Sequence, residues 1–360
     1  MKIAVDAMGG DNAPGTIVEG AVLASKEFGV DILLVGDEGV LRDELSKYKD
    51  DNFAISIKHA SEVILMNEAP SIALRKKRNS SIRVAIEAVK SGEAKAVVSA
   101  GNTGAVLAAS SIILRTIKGV ARPAIAVSLP TIRGTSILLD AGANVDCKAE
   151  QLFQFGIMGH VYAKYMLGKI NPSIGLLSIG EEDTKGNEAT KGAFQMLKKS
   201  SINFIGNVEG KETYKGNAEV LICDGFIGNV ALKISESLAE MIEKSLKMMF
   251  AKNLRSKIAY MLIKPYLKAF KKSVDHNEYG GAPLLGINGI CIISHGNSTS
   301  KAIKNAIRVA AEFVKKDVNA HIQQDIELNL EIQDSKQKKR KFWSHIKDSI
   351  PFPLEKGRDD

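Results

Sequence analysis

The stretch KAVVSAGNTGAVL, Lys95 to Leu107, sets out a unit that recurs along the chain. Its alanines and valines read as a short apolar strand, Lys95–Ser99. Gly101, Asn102, Thr103 and Gly104 then form a turn, and an apolar helical segment fills Ala105–Ile117. Ten strands of this kind are expected, at Lys2–Ala7, Asp31–Gly36, Ala54–His59, Lys95–Ser99, Ala124–Leu129, Thr135–Asp140, Ile174–Ser178, Asn203–Gly206, Val220–Cys223 and Gly289–Ser294. Helices are expected between them, at Pro14–Phe28, Val40–Leu45, Ser80–Ser91, Cys147–Leu167, Glu188–Lys199, Asn229–Phe250 and Thr299–Phe313. Strands that alternate with helices of 10 to 20 residues predict an α/β fold in three layers, α/β/α, on a mixed but mainly parallel sheet.

In such a sheet ligands bind outside the carboxyl ends of the strands. Six strand ends here run into small, polar turns: Gly9–Gly15, Ser99–Gly104, Asp140–Asn144, Gly180–Asn187, Asp224–Asn229 and His295–Ser298. Glycine lets backbone approach an anion closely, and a helix start offers free N–H groups. One such turn is usually only a cap or a bend. Six together predict a shared anion-accepting cleft. His295 stands beside a glycine at a strand end, where a site role and a capping role are both open. The chain has no GxxxxGK[ST], no GxGxxG after its first strand and no G-x-S-x-G, so phosphate-loop nucleotide hydrolysis and serine-elbow hydrolysis are not signalled. Its six histidines lack metal-ligand spacing, and its three cysteines, Cys147, Cys223 and Cys291, lie far apart without a CxxC pair. Neither a metal nor a disulfide framework is expected, and a reducing cytoplasm is. The charge-free run Ala96–Leu114 carries polar residues and two glycines, which fits a buried strand, turn and helix better than a membrane span.

The net charge of +8 is uneven. Lys244–Lys272 holds nine basic residues and no acid, and Lys336–Lys347 holds six more; the remainder carries 34 positive and 41 negative charges, a net of −7. A mildly acidic body with two basic patches argues against nucleic acid as a partner. The first patch sets Lys247, Lys252, Arg255, Lys257 and Lys264 among Leu254, Ile258, Met261 and Leu262, as in a basic amphipathic helix pair bent at Pro265. It reads either as a surface for an anionic membrane or acidic partner, or as a helix pair packed on the body or a second subunit. The second patch, with Phe342, Trp343 and Ile346, reads as a membrane-interface contact or as a solvated end. The chain is therefore divided into an α/β body, 1–325, with the helical segment 238–275 protruding from it, and a polar and basic tail, 326–360.

The turns themselves carry a resemblance. AVDAMGGDNAP (Ala4–Pro14), SAGNTGA (Ser99–Ala105), LLDAGANVD (Leu138–Asp146), GEEDTKGNE (Gly180–Glu188), DGFIGNVALK (Asp224–Lys233), YGGAPLLGING (Tyr279–Gly289) and HGNS before KAIKNAI are similar, in order, to the bacterial phosphate acyltransferases of phospholipid synthesis. Ser178 and Ser235–Ser237 depart from that pattern without touching the turns, and the tail lies outside it. The resemblance implies conversion of acyl-acyl carrier protein and inorganic phosphate into acyl phosphate and free carrier protein, which supplies a membrane glycerol-3-phosphate acyltransferase. It also implies no cofactor, a homodimer, peripheral attachment to the inner face of the membrane, and a fold like that of phosphotransacetylases and isocitrate/isopropylmalate dehydrogenases.

That chemistry needs little beyond positioning. Phosphate is substantially dianionic near neutral pH, and a thiol with a pKa of about 8.5 is an adequate leaving group. Positioning and oxyanion stabilisation remain. With the resemblance, Lys185 is the expected cation and Asn229, at an expected helix start, the expected hydrogen-bond donor. Gly101, Asn102, Thr103, Gly104, Asn144, Gly228, His295 and Asn297 are expected to line the phosphate site. The basic helix pair is expected to dock carrier protein or lipid. Two alternatives compete: an NAD-dependent dehydrogenase of the isocitrate/isopropylmalate type, with a metal on carboxylates such as Asp6, Asp11, Asp140, Glu181, Glu182 and Asp224, and a non-enzymatic membrane-surface scaffold.

Overall fold

The computed structural model describes residues 1–48, 53–274 and 280–349, with backbone alone for 268–274 and 336–349. The side chains of Lys268, Lys271 and Lys272, the second basic patch from Lys336 to Lys347, and Tyr279 lie outside the described set. The strands are β1 (Lys2–Asp6), β2 (Asp31–Gly36), β3 (Ile55–His59), β4 (Ala96–Ser99), β5 (Ala124–Thr131), β6 (Gly134–Leu139), β7 (Ile174–Ser178), β8 (Phe204–Glu209), β9 (Val220–Ile222), β10 (Ala282–Leu285) and β11 (Cys291–Ile293). The helices are α1 (Gly15–Phe28), α2 (Glu38–Leu45), α3 (Pro70–Lys76), α4 (Ser81–Lys90), α5 (Thr103–Ile113), α6 (Ala149–Met166), α7 (Glu188–Leu197), α8 (Gly225–Ala251), α9 (Leu254–Val274), α10 (Ser300–Lys315) and α11 (Val318–Ser349).

Among the described residues one sheet holds all eleven strands, in the order β3-β2-β1-β4-β11-β10-β5-β6-β9-β7-β8. Seven of its ten pairings are parallel. The three antiparallel ones, β11–β10, β10–β5 and β5–β6, stand together in the middle. They reverse the sheet, so that β1, β4 and β11 point one way and β6, β7 and β9 the other. All ten expected strands are present. β10 is not among the expected strands: it holds Pro283, which has no N–H for a ladder, is only four residues long, and gives its first half to β11 and its second to β5.

The central strands are buried on both faces, as a covered parallel sheet requires. Over the N-terminal half, α1 and α10 pack one face through Val18, Ala21, Ile303 and Ile307, and α4 and α5 pack the other through Ile82, Ile86 and Val106. Over the C-terminal half, α6 supplies Phe153, Phe155 and Met158 to the largest core cluster. Helix α11 joins that cluster through Ile322 and Ile326, and Asn329 is also fully buried. The body thus extends past the expected boundary at 325, because apolar residues continue at helical spacing across it.

Helices α8 and α9 stand largely exposed. The break between them falls at Lys252–Asn253 and not at Pro265, which α9 contains. Asn253 and Ser256 explain the break: each side chain accepts from the other's backbone N–H, at 2.9 and 3.1 Å, and starts a new helix. Among the described residues no helix is long and apolar enough to cross a membrane.

Candidate active site

The reversal of the sheet sorts the six turns into two groups of three. The first group follows β1, β4 and β11. Its centre is Asp6, which is fully buried and accepts from Ser99 Oγ at 2.7 Å and from the Met8 N–H at 3.4 Å. Ser99 Oγ accepts in turn from the Gly101 N–H at 3.1 Å. Gly9 sits so close that a Cβ there would lie 2.8 Å from the Gly101 nitrogen, which only glycine tolerates. The Asp11 N–H donates to the Gly296 carbonyl at 2.8 Å and ties in the third turn.

In this group the expected phosphate ligands have other work. Asn102 is buried; its Oδ1 caps α5 by accepting from the Ala105 N–H, and its Nδ2 donates to the carbonyls of Leu65, Met66 and Glu68 at 3.0 to 3.2 Å. Its side chain therefore clamps the loop before α3. Thr103, His295 and Asn297 are exposed, and His295 Nδ1 faces the Asn297 N–H at 3.5 Å.

The second group follows β6, β7 and β9 and centres on Asp140, also fully buried. Its carboxylate accepts from the backbone N–H groups of Ile125, Ala143 and Asn144 and from Asn144 Nδ2, at 2.8 to 3.0 Å. Asn144 Nδ2 also donates to the Pro123 carbonyl at 2.7 Å, so this amide, too, is structural. Burial pushes the carboxyls of both Asp6 and Asp140 above their ordinary range, against the hydrogen bonds that lower them. Gly228 is required by close approach: a Cβ there would lie 1.9 Å from the Asp140 carbonyl oxygen.

Helix α8 begins at Gly225, one turn before the expected start, because Gly225 and Gly228 interrupt the apolar pattern without interrupting the helix. Its cap is Asp224, which accepts from the Phe226 N–H at 2.8 Å and from the Cys147 N–H at 2.7 Å. Asn229 is thus inside the first turns and not the cap. Its exposed side chain lies over Gly142, where an added Cβ would sit 3.4 Å away, and it makes no hydrogen bond among the described residues. Lys185 is exposed in the turn before α7, its ammonium without a carboxylate partner among the described residues. The turn that carries it ends at Asn187, whose Oδ1 caps α7 by accepting from the Thr190 N–H at 2.9 Å.

The three turns of this second group enclose an open cleft of about 400 Å³. Val145, Asp146, Cys147 and Leu152 form one side, Leu177, Asn187, Ala189 and Thr190 another, and Asp224, Phe226 and Ile227 the third. Burial pushes the Cys147 thiol up to about 12, with Asp224 and Asp140 adding to the effect, so it stays protonated and is no nucleophile. Sequence reasoning passed over Val145, Phe226 and Ile227, which are apolar residues left on the surface, and no local pattern marks them. Asp140 stood in the motif LLDAGANVD, but only the fold reveals it as the post around which the turn winds.

The arrangement has counterparts among known proteins. Residues 1–321 match the model of a family described as fatty acid synthesis protein. A protein of Geobacter sulfurreducens named phosphate acyltransferase is 54% identical over 327 residues, 91% of this chain and 94% of its own length. One of the same name from Pelotomaculum thermopropionicum is 53% identical over 91% of this chain and 95% of its own. Among solved structures, phosphotransacetylases from Staphylococcus aureus and Streptococcus pyogenes superpose with TM-scores of 0.59 and 0.58, over 87% and 88% of this chain and 94% of theirs, at 15% and 17% identity. Those two establish that the fold is that of the phosphotransacetylases, as expected. Identity above one half across nine-tenths of both chains establishes more: this chain belongs to the fatty acid synthesis protein family, alongside the bacterial phosphate acyltransferases.

Proposed function

We propose that the chain is an acyl-acyl carrier protein:phosphate acyltransferase, making acyl phosphate and free carrier protein. The observation that carries the reading is the one just given, identity above one half over nine-tenths of the chain with proteins named phosphate acyltransferase. The geometry supports it. A phosphate oxygen attacks the thioester carbonyl carbon, the tetrahedral oxyanion collapses, the C–S bond breaks, and the carrier thiolate leaves and takes a proton from water. No covalent enzyme intermediate is needed. Lys185 pairs with phosphate or the oxyanion, and Asn229 donates to the same centre. The main-chain N–H groups around Gly228 and Thr103, and His295 and Asn297, are further donors within this reading. Asn102 and Asn144 shape their loops and leave phosphate to neighbouring backbone.

The helix pair α8–α9 is the docking surface in this proposal. Lys252, Arg255, Lys257 and Lys264 are exposed, as are Leu254, Ile258, Met261 and Leu262, with Leu254 at 74%. Lys247 is partly neutralised by Glu243 at 2.8 Å. Apolar side chains among cations suit an acidic carrier protein and the anionic inner face of the membrane, where a glycerol-3-phosphate acyltransferase would take the product. Val230, Ile234, Leu238 and Met241 form an exposed stripe along α8, which supports a homodimer. The catalytic body then comprises the sheet and its helices, and the basic end from Lys336 onward is a separate tail.

The test mixes the protein with palmitoyl-acyl carrier protein and phosphate and follows release of carrier thiol. Release should require phosphate and fall roughly 10²-fold or more in Lys185→Ala, the scale for removing one group that stabilises a developing oxyanion. Release without phosphate dependence would sink the reading.

A further inference from the structure

The cleft beside α7 and α8 has walls of two kinds. Leu152, Leu177, Ala189, Val145, Phe226 and Ile227 are apolar, and Phe226 is left 60% exposed and Val145 64%. Three of the polar groups there already have partners: Asn187 caps α7, Thr190 Oγ1 donates to Asn187, and Asp224 holds the N–H groups of Phe226 and Cys147. Among the described residues no Lys or Arg lines it, and its charged groups, Asp146 and Asp224, are both carboxylates. An anion would be repelled from this space, and a hydrocarbon would gain by covering Phe226 and Val145. The cleft nevertheless adjoins the anion-seeking groups. Asn187 on its wall is two residues from Lys185, and Ile227 two residues from Asn229. A methylene is about the size of a water molecule, whose share of liquid is about 30 Å³. The cleft of about 400 Å³ therefore accommodates on the order of a dozen methylenes.

We propose that this cleft holds the hydrocarbon chain of the acyl group, with the thioester carbonyl at the end nearest Lys185 and Asn229. The assignment rests on the acyltransferase reading and adds a site to it: Ala189, on the first turn of α7, is a small side chain in the wall, where a larger one would narrow the space for the chain. Carboxylates along the walls keep phosphate at the mouth, and the apolar side chains keep the chain from wandering into water.

The experiment measures kcat/KM for butanoyl-, octanoyl- and palmitoyl-acyl carrier protein at saturating phosphate. In the wild-type protein specificity should rise with length, by up to about fourfold for each methylene removed from water. Ala189→Leu fills part of the cleft and should lower palmitoyl turnover by roughly tenfold or more while butanoyl turnover stays within about twofold. Phe226→Ala, at the exposed rim where folding is not at stake, should lower palmitoyl turnover a few-fold and leave butanoyl unchanged. Equal losses at all three lengths would overturn the assignment and hand the cleft to the carrier's pantetheine arm. An unchanged length profile in both variants would overturn it as well. If the wild-type protein releases no carrier thiol in response to phosphate, the acyltransferase reading fails first; if it does and the profile does not move, only the chain site fails.

Discussion

Asp6 and Asp140 occupy matching places at the carboxyl ends of β1 and β6, and each opens a similar phrase, DAMGG and DAGAN. Both are fully buried and both organise a glycine turn. Their surroundings differ. Around Asp6 the turns bind one another: Asp11 holds Gly296, and Asn102 clamps residues 65–68. Around Asp140 one turn binds inward, through four N–H donors to one carboxylate, Asp224 ties in a second through the Cys147 N–H, and the outer faces stay open. Asn229, Lys185 and the apolar rim of the cleft stand on those faces. A turn whose polar groups satisfy each other is structure; one anchored from behind can present the rest to a ligand.

Asn102 and Asn229 put the largest number on this contrast. Asn229→Ala should lower phosphate-dependent turnover about 10²-fold, if it supplies a donor to the oxyanion, and leave the unfolding midpoint unchanged because its amide holds nothing in the fold. Asn102→Ala should do the reverse. Loss of a helix cap and of the amide's hydrogen bonds to three loop carbonyls should cost about 2–3 kcal/mol in denaturant unfolding, with the remaining folded enzyme active within severalfold. Kinetic damage from Asn102→Ala at unchanged stability would erase the distinction between the two loop groups.

That pair also measures what the sequence could say. Strand and helix periods located ten strands and most helices, since burial on the sheet imposes them on the sequence. β10 and α3 escaped because Pro283 and Pro70 look like breaks, though one sits in a four-residue strand and the other at a first helical position. The motif residues were legible as a set, but their division of labour was not. Asn102, Asn144 and Asn229 read alike in sequence; whether an amide faces inward to carbonyls or outward to solvent depends on residues 37, 21 and 87 positions away. The antiparallel centre of the sheet was equally hidden, so the sorting of the six turns by strand direction was not legible.

The α8–α9 pair offers a smaller and salt-sensitive effect. Lys252→Glu, Arg255→Glu and Lys257→Glu together should raise the KM for acyl carrier protein about tenfold at low ionic strength and leave turnover of a small soluble acyl thioester unaltered. The difference should shrink in high salt, where exposed charges are screened within about 3 Å at 1 M. The same triple variant should bind vesicles rich in anionic lipid more weakly, by about 1 kcal/mol for each lost cation. An equal loss on carrier-bound and small thioesters would move the effect to the Asp140 site and away from docking.

The subtlest difference between the halves is in their titration. Burial raises both carboxyls above the 3.8 of an exposed aspartate. An acid whose folded value is raised binds its proton more tightly when folded, so its contribution to stability is complete below 3.8 and is lost as pH climbs through the folded value. Asparagine cannot titrate and serves as the reference. The stability advantage of wild type over Asp6→Asn, followed by denaturant unfolding, should therefore be greatest in acid and shrink as pH rises out of the usual carboxylate range. Asp140→Asn should follow the same direction, and 1.36 kcal/mol for each pH unit between the two values sets the scale. The donors separate the two. Four N–H groups favour the ionised Asp140 and cannot all be satisfied by an amide, which has one acceptor oxygen and not two. Asp140→Asn should remain destabilised at neutral pH, where Asp6→Asn approaches wild type. If Asp140→Asn also converges on wild type at neutral pH, the inward anchoring of the second loop group is not what holds its turns open, and the contrast with Asp6 loses its cause.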